Sequence, residues 1–168
     1  MTTILKIHLR KRLRLLKSKT TPGSSAGRDA YFVAIDLLSR REHSRVELES
    51  KLSNKGFSEE QIASAMEQLL AHGLQSDERY LEDFVRSRVL KGSGPLKIAH
   101  ELRTRGIDSS TLHAYLERQD IDWFEVASAT YHKKYRSNNE IDAREQAKRV
   151  RFMQSKGFPS DIIFRLFR

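Results

Sequence analysis

The residues of this chain whose types and spacing could do chemistry are its lysines and arginines. Arg144, Lys148 and Arg151 are separated by four and three positions, so on a helix they would lie on one face. A row of cations suits phosphate groups, although a solvated helix face has the same composition. The candidate contacts for a partner or for DNA are Arg86, Lys97, Lys133, Lys134, Arg136, Arg144, Lys148, Arg149 and Arg151.

A glycine-rich turn is a second place where phosphate chemistry is conceivable. Gly92, Ser93 and Gly94 precede a predicted helix that carries Lys97, and free backbone N–H groups at a helix start attract anions. The same residues also break helices, and Pro95 would occupy the first helical position, where proline is tolerated best. The sequence favours a plain turn, although the two roles are compatible.

Catalytic and metal-binding patterns are missing from the sequence. It has no cysteine, no glycine-lysine phosphate loop, no HExxH pair and no GxSxG elbow. An acidic group at Asp77, Glu78, Glu82 and Asp83 is explained by first-turn preferences and by pairing with Arg86 or Arg79. The histidines, with His100 and His113 on adjacent predicted helices, favour surface positions over ligation. We therefore expect no enzyme, no cofactor and no metal.

The positive charge is concentrated at the two ends of the chain. The formal net charge is +9, and the charges of residues 1–28, 29–76, 77–122 and 123–168 sum to +8, −3, −1 and +5. Residues 1–28 therefore form a basic arm with a flexible Ser/Gly/Pro linker, either a solvated tail or a phosphate-contacting segment. A mitochondrial presequence has a similar composition. The absence of cysteine and of long apolar runs favours a cytoplasmic protein.

Three segments repeat at intervals of about 50 residues. Aligning KLSNKGFSEEQI, ELRTRGIDSSTL and FMQSKGFPSDII superimposes the structural repeat glycines Gly56, Gly106 and Gly157. A basic residue precedes each glycine, an apolar residue follows it, and another apolar residue stands four places before it. This pattern predicts a helix that ends at a left-handed glycine, followed by a second helix that begins at Ser58, Asp108 or Pro159.

Each repeat also has a preceding helix, so we expect three helices per repeat. The first helices are predicted at residues 31–41, from an N-cap at Asp77 to residue 91, and at 123–136; Ser44 is predicted to cap the helix that follows the first of these. In the third repeat the middle helix is predicted at 141–156, after a break at 137–139. The predicted fold is all-α: three tandem three-helix repeats, at 29–76, 77–121 and 122–168, stacked into an elongated curved monomer.

The repeat sequences resemble a known family. The segments GLQSDERYLEDFVRSRVLKGSGPLKIAHELRTRGI, DIDWFEVA and KRVRFMQSKGF, together with the first repeat, are similar to the RecX family of recombinase regulators over residues 30–168. The basic arm lies outside the resemblance and departs from the compact start expected for the family.

The resemblance implies a regulator, mainly an inhibitor, of the RecA recombinase in DNA recombination, repair and the SOS response. It implies binding to RecA and its nucleoprotein filament on DNA, damping of ATP hydrolysis and strand exchange, some affinity for single- or double-stranded DNA, and no enzymatic activity. The alternative that the residues leave open is a free-standing DNA-binding protein built from helix-turn-helix-like units, which would bind DNA tightly and salt-sensitively without RecA.

Overall fold

The computed structural model describes residues 29–135 and 142–167, so the basic arm, the predicted break at 137–139 and Arg136 lie outside the described residues. The described chain contains only helices. In chain order they are α1 (Ala30–Arg40), α2 (Arg45–Ser53), α3 (Glu59–Ala71), α4 (Asp77–Leu90), α5 (Pro95–Arg103), α6 (Ser109–Glu117), α7 (Trp123–Lys134), α8 (Ala143–Ser155) and α9 (Ser160–Arg165). The all-α prediction is confirmed.

The repeat glycines end their helices in the predicted way. Gly56, Gly106 and Gly157 have φ angles of 87°, 80° and 85°, in the left-handed region that disfavours residues with a Cβ. After each glycine the next N–H donates to the carbonyl of the apolar residue five places earlier, at 3.4, 3.1 and 3.3 Å. Those acceptor residues, Leu52, Leu102 and Met153, are fully buried. The glycine therefore turns the chain so that the helix end closes over a core residue.

Most predicted helix starts are also confirmed. Ser58 and Gln61 form a capping box, and the Asp108 side chain accepts the N–H of Thr111. Ser44 caps α2 by accepting the N–H of Glu47. Helix ends differ from the prediction by one or two residues, and before Gly56 and Gly157 the reason is that the last turn is not α-helical.

The predicted cap at Asp77 is wrong. Asp77 is the first residue of α4, and the preceding residue, Ser76, accepts the N–H of Arg79 at 3.2 Å. The Asp77 carboxylate instead accepts the N–H of Arg45 at 2.8 Å, at the start of α2, and the side-chain amide of Gln75 at 2.7 Å. Asp77 therefore ties the beginning of the second repeat to α2.

The chain divides into two compact units, Met1–Tyr80 and Leu81–Arg168. The core of the first unit is formed by one stripe of α1 with the inner faces of α2 and α3, and it includes Ile35, Leu48 and Met66. In the second unit, Ala127, Tyr131, Met153, Phe158 and Ile163 form a cluster between α7, α8 and α9, with Trp123 packed against it. Each cluster is built from residues at helical spacing, as expected for stacked amphipathic helices.

Candidate nucleic-acid and partner interface

Three side chains of the third repeat form an arrangement that we call the Phe152 cluster: Lys134, Phe152 and Lys156. Lys134 ends α7, Phe152 lies in the last turn of α8, and Lys156 directly follows α8. The Lys134 Nζ atom is 3.7 Å from the centre of the Phe152 ring, and the Lys156 Nζ atom is 5.6 Å from it. The Tyr135 ring also contacts the Phe152 ring in a T-shaped arrangement, with 5.7 Å between the centroids. Two ammonium groups thus share one aromatic ring.

The lysines of the Phe152 cluster form no ion pair with any carboxylate of the described residues. A similar arrangement in the second repeat provides a contrast, since the guanidinium groups of Arg88 and Arg105 lie 4.6 and 5.1 Å from the centre of the Phe84 ring. There, Arg88 pairs with Glu101 at 2.6 Å, so at least this cation is neutralised. Within the described residues, the two ammonium groups of the Phe152 cluster have no carboxylate partner, whereas Arg88 of the Phe84 arrangement has one.

The three cations spaced along α8 all reach solvent. Arg144, Lys148 and Arg151 are exposed, and the helix α8 places them on one side by their spacing. Lys148 pairs with Glu145 at 3.2 Å, but this exposed pair neutralises only part of the row. Lys133, at the end of α7, is exposed as well.

Arg149 has a different role from the other candidates, because its side chain belongs to the core. The residue is 9% exposed, and its Nη1 donates to the Tyr131 hydroxyl oxygen at 2.8 Å. Its Nε donates to Glu145 at 3.1 Å, and the guanidinium lies 4.6 Å from the centre of the Tyr135 ring. The hydrogen bond with Tyr131 raises the pKa of Arg149, and the bond from Arg149 lowers the pKa of Glu145. Arg149 therefore joins α7 to α8.

The candidates of the second repeat are Arg86 and Lys97. Arg86 is exposed but pairs with Asp83 and, at 3.7 Å, with Glu82, as the sequence predicted for this acidic group. Lys97 is exposed, and no ion pair joins it to the described residues. Of the two, Lys97 is the cation that keeps its charge available to a ligand.

The glycine turn at residues 92–94 joins the second repeat to the third. The Gly94 N–H donates to the Lys156 carbonyl at 2.8 Å, and the Leu96 N–H donates to the Gly157 carbonyl at 3.1 Å. A Cβ on Gly94 would lie closer than 3.0 Å to the Gly157 carbonyl oxygen, so only glycine allows this approach. We call this contact the Gly94–Gly157 joint, and it brings Lys97 next to the turn that carries Lys156.

The joint overturns the phosphate-binding alternative for this turn. The N–H groups of Gly92 and Ser93 donate to the carbonyls of Val89 and Arg88, at 2.9 Å in both bonds. With the Gly94 and Leu96 N–H groups bound to the third repeat, the donors that would cradle a phosphate are occupied. The plain-turn interpretation is confirmed, and the turn acts as a packing surface.

The sequence did not single out Phe152, and it assigned Lys156 only to the end of its helix. The sequence does contain a feature that could have identified the pair. Phe152 lies four residues before Lys156, the basic residue that precedes a repeat glycine, and this spacing places Phe152 and Lys156 on one side of the helix end. Lys134 could not be added by that signal, because α7 and α8 are separated by a loop and only their packing brings it to the ring.

Comparison with protein-family models finds three consecutive matches. Residues 30–69 match "RecX, first three-helix domain", residues 76–116 match "RecX, second three-helix domain" and residues 120–167 match "RecX, third three-helix domain". The chain belongs to the RecX family. Each of the three matched RecX domains contains one of the repeat glycines, Gly56, Gly106 or Gly157.

Individual RecX proteins agree with this membership. The chain is 44% identical to "Regulatory protein RecX" of Ectopseudomonas mendocina (strain ymp) over 80% of its own length and 90% of that protein. It is 42% identical to "Regulatory protein RecX" of Pseudomonas savastanoi pv. phaseolicola, covering 79% of this chain and 86% of the relative. The crystal structure of RecX from Lactobacillus salivarius is similar with a TM-score of 0.68 and 27% identity, over 82% of this chain and 92% of that one.

The RecX relatives are named as regulatory proteins and not as enzymes. Among the described residues of this RecX chain, no helix is long and apolar enough to span a bilayer. In the same residues, no group of histidine and carboxylate side chains is arranged to hold a metal ion.

Proposed function

We propose that this RecX-family protein regulates the RecA recombinase, mainly as an inhibitor, by binding RecA and its filament on DNA. The observation that carries the proposal is the run of three RecX domains over residues 30–69, 76–116 and 120–167. Inhibition would consist of damping DNA-stimulated ATP hydrolysis and strand exchange.

The charges of the third repeat support a contact near the DNA that RecA encloses. The second unit has several exposed cations and the partly exposed Lys156. The exposed ones are Lys97, Lys133, Lys134, Arg144, Lys148 and Arg151. DNA-bound filaments present phosphates at high density, so such a surface would gain affinity from their neutralisation. Arg149 is left out of this contact surface because its guanidinium is bound to Tyr131 and Glu145.

The test is a titration of the purified protein into a DNA-stimulated RecA ATPase assay. We expect the wild type to lower the ATPase rate, and we expect the triple variant Arg144→Glu, Lys148→Glu, Arg151→Glu to require a higher concentration for the same effect. A matched control reverses three exposed cations outside the third repeat, Lys55, Arg103 and Arg118. Equal inhibition by the wild type and the triple variant would refute the role of the α8 cations, and no inhibition by the wild type would refute the proposal itself.

A free-standing DNA-binding protein is the second candidate, and the Phe152 cluster favours it. Two lysines on an aromatic ring, with no carboxylate partner among the described residues, would form a nucleic-acid contact that needs no other protein. This candidate predicts tight DNA binding without RecA, with the logarithm of affinity falling by about 0.7–0.9 per contacted phosphate for each tenfold rise in salt. Measuring binding at two salt concentrations in the absence of RecA separates the two functions.

A further inference from the structure

We propose that the Phe152 cluster is a stacking site for one unpaired base of a single-stranded nucleic acid, with Lys134 and Lys156 binding the flanking phosphates. The inference deepens the proposed function, since it names a nucleic-acid contact of the third repeat, but it rests on contacts within this chain. It concerns binding that takes place with or without RecA.

The ring is held in place for such a contact. Phe152 is partly buried and packs against the cluster of the third repeat, so its position is fixed by the core. The Tyr135 ring contacts it in a T-shaped arrangement, and the Arg149 guanidinium lies 4.6 Å from the centre of the Tyr135 ring. A ring fixed in this way offers a base a stacking surface with little loss of side-chain freedom.

Compared with the fixed ring, the two ammonium groups are mobile and can move away from the face of Phe152. Lys134 is exposed and reaches the ring through a long flexible side chain, so its Nζ can leave the ring when a base arrives. A phosphate on either side of the stacked base then meets an ammonium that is already nearby. Lys97 adds a further exposed cation near the cluster, because it adjoins Gly157, the residue after Lys156.

A structural role alone leaves the charges of the cluster unexplained. In the second repeat, two arginines also cover one phenylalanine, but there Glu101 neutralises Arg88 and the Glu101 carbonyl accepts Arg105 Nη1 at 2.8 Å. Around Phe152 no carboxylate of the described residues plays that part. The excess charge beside an aromatic face matches a ligand that brings both phosphates and a flat π surface.

Single-stranded nucleic acid is favoured over a duplex by geometry. In a duplex each base is stacked on its neighbours and paired, so a single side-chain ring has no free base face to meet. A duplex would contact the lysines through its phosphates only. The contribution of the ring therefore distinguishes the two ligands, whereas the contribution of the lysines does not.

The experiment measures fluorescence anisotropy of a labelled oligothymidylate with the full chain and no RecA. Phe152→Leu keeps an apolar side chain but removes the π face, and stacking worth about 1–3 kcal/mol predicts a loss of about 5- to 150-fold in affinity. Phe152→Tyr should bind as the wild type does, and Phe84→Leu is the matched control in the partly neutralised arrangement. Affinity for a blunt-ended duplex without a loop should not change in Phe152→Leu. A labelled oligouridylate distinguishes RNA from DNA as the ligand, and a loss with either supports the site.

The proposal is overturned if Phe152→Leu binds oligothymidylate and oligouridylate like the wild type, or if it weakens duplex binding to the same extent. If Phe152→Leu fails to fold, Lys134→Gln replaces it, because Lys134 is exposed. We expect this variant to reduce the salt dependence of single-strand binding by about 0.7, the share of one phosphate, and an unchanged slope overturns the site. The RecA ATPase titration is a separate test. If the wild type inhibits RecA but Phe152→Leu keeps its affinity for single strands, the stacking site alone is rejected. If Phe152→Leu loses affinity for single strands but the wild type does not inhibit RecA, the proposed function alone is rejected.

Discussion

Replacing Gly157 by alanine would test the Gly94–Gly157 joint directly. The new Cβ would lie closer than 3.0 Å to the backbone nitrogen and the Cα of Lys97, and a backbone cannot move aside as a flexible side chain can. Gly157 also has a φ of 85°, which alanine adopts with difficulty. The substitution therefore imposes two separate costs, one local and one at the contact between repeats.

Two other glycines separate these costs. Gly56 occupies the same repeat position with a φ of 87°, but nothing lies within 4 Å of an added Cβ. Gly94 has a φ of −82°, which any residue adopts, while its Cβ would clash with the Gly157 carbonyl. Gly56→Ala thus measures the left-handed conformation alone, and Gly94→Ala measures the close approach alone.

The expected magnitudes differ enough to be resolved. The left-handed conformation costs about 1–2 kcal/mol, which is the whole expected effect of Gly56→Ala. Overpacking at the joint costs about 1–3 kcal/mol, and the two hydrogen bonds across it contribute about 1 kcal/mol each. These contributions sum to about 3–5 kcal/mol for Gly94→Ala, and the added conformational cost raises the sum to about 4–7 kcal/mol for Gly157→Ala, a large part of the roughly 5–15 kcal/mol that stabilises a typical domain.

Urea denaturation followed by tryptophan fluorescence is the assay. The chain has one tryptophan, Trp123, and it packs against the core of the third repeat, so fluorescence reports the unit that contains the joint. Far-UV circular dichroism on the same samples reports all helices. If Gly157→Ala loses no more stability than Gly56→Ala, the close approach of the two turns is wrong, because only the conformational cost would then remain.

Three further predictions concern titration, the core arginine and the basic residues before the glycines. Burial, followed by the nearby Arg41, lowers the pKa of His43 from its ordinary value of 6.5, so the folded state favours the neutral ring. The stability of the fold should therefore be full above about pH 6.5 and fall below it. His43→Gln should lose this dependence when the urea midpoints at about pH 7.5 and about pH 5.5 are compared. In a thermal scan, Arg149→Met should lower the melting temperature by about 5 °C or more, because it removes a buried side chain with two hydrogen-bond partners. Arg151→Met, on the exposed side of α8, should leave the melting temperature unchanged, and equal shifts would contradict the core position of Arg149. Arg105→Gln should cost about 1 kcal/mol of stability and leave oligonucleotide binding intact, whereas Lys156→Gln should show the reverse in the urea and anisotropy assays.

The sequence predicted those features that depend on residues close together in the chain. The glycine register located three helix ends, because a left-handed glycine, a preceding base and a following apolar residue act within one turn. It also contained a usable signal for Arg149: Met153 is the apolar residue four places before a repeat glycine, and Arg149 lies four residues before Met153 on the same side of α8. Spacing alone therefore separates Arg149 from Arg144, Lys148 and Arg151.

The features that escaped prediction depend on contacts between distant segments. Ser76 and Asp77 are both residue types that cap helices well. The Arg45 N–H donates to the Asp77 carboxylate, so Ser76 caps the helix by accepting the N–H of Arg79. The turn at residues 92–94 has the same composition whether its N–H groups face a phosphate or a neighbouring repeat. Only the packing of Gly157 against it decides which of these applies.

The joint also explains why Lys156 is available to the Phe152 cluster. A basic residue before a helix-ending glycine ordinarily faces the negative end of its helix, and Arg105 does this by donating to the Glu101 carbonyl at 2.8 Å. At the end of α8 the positive end of α5 takes that place, since the Gly94 and Leu96 N–H groups donate to the carbonyls of Lys156 and Gly157. With the helix end already stabilised by another helix, the Lys156 ammonium extends over Phe152. The close approach permitted by two glycines is thus the reason why the Lys156 ammonium lies near Phe152 and not at the end of α8.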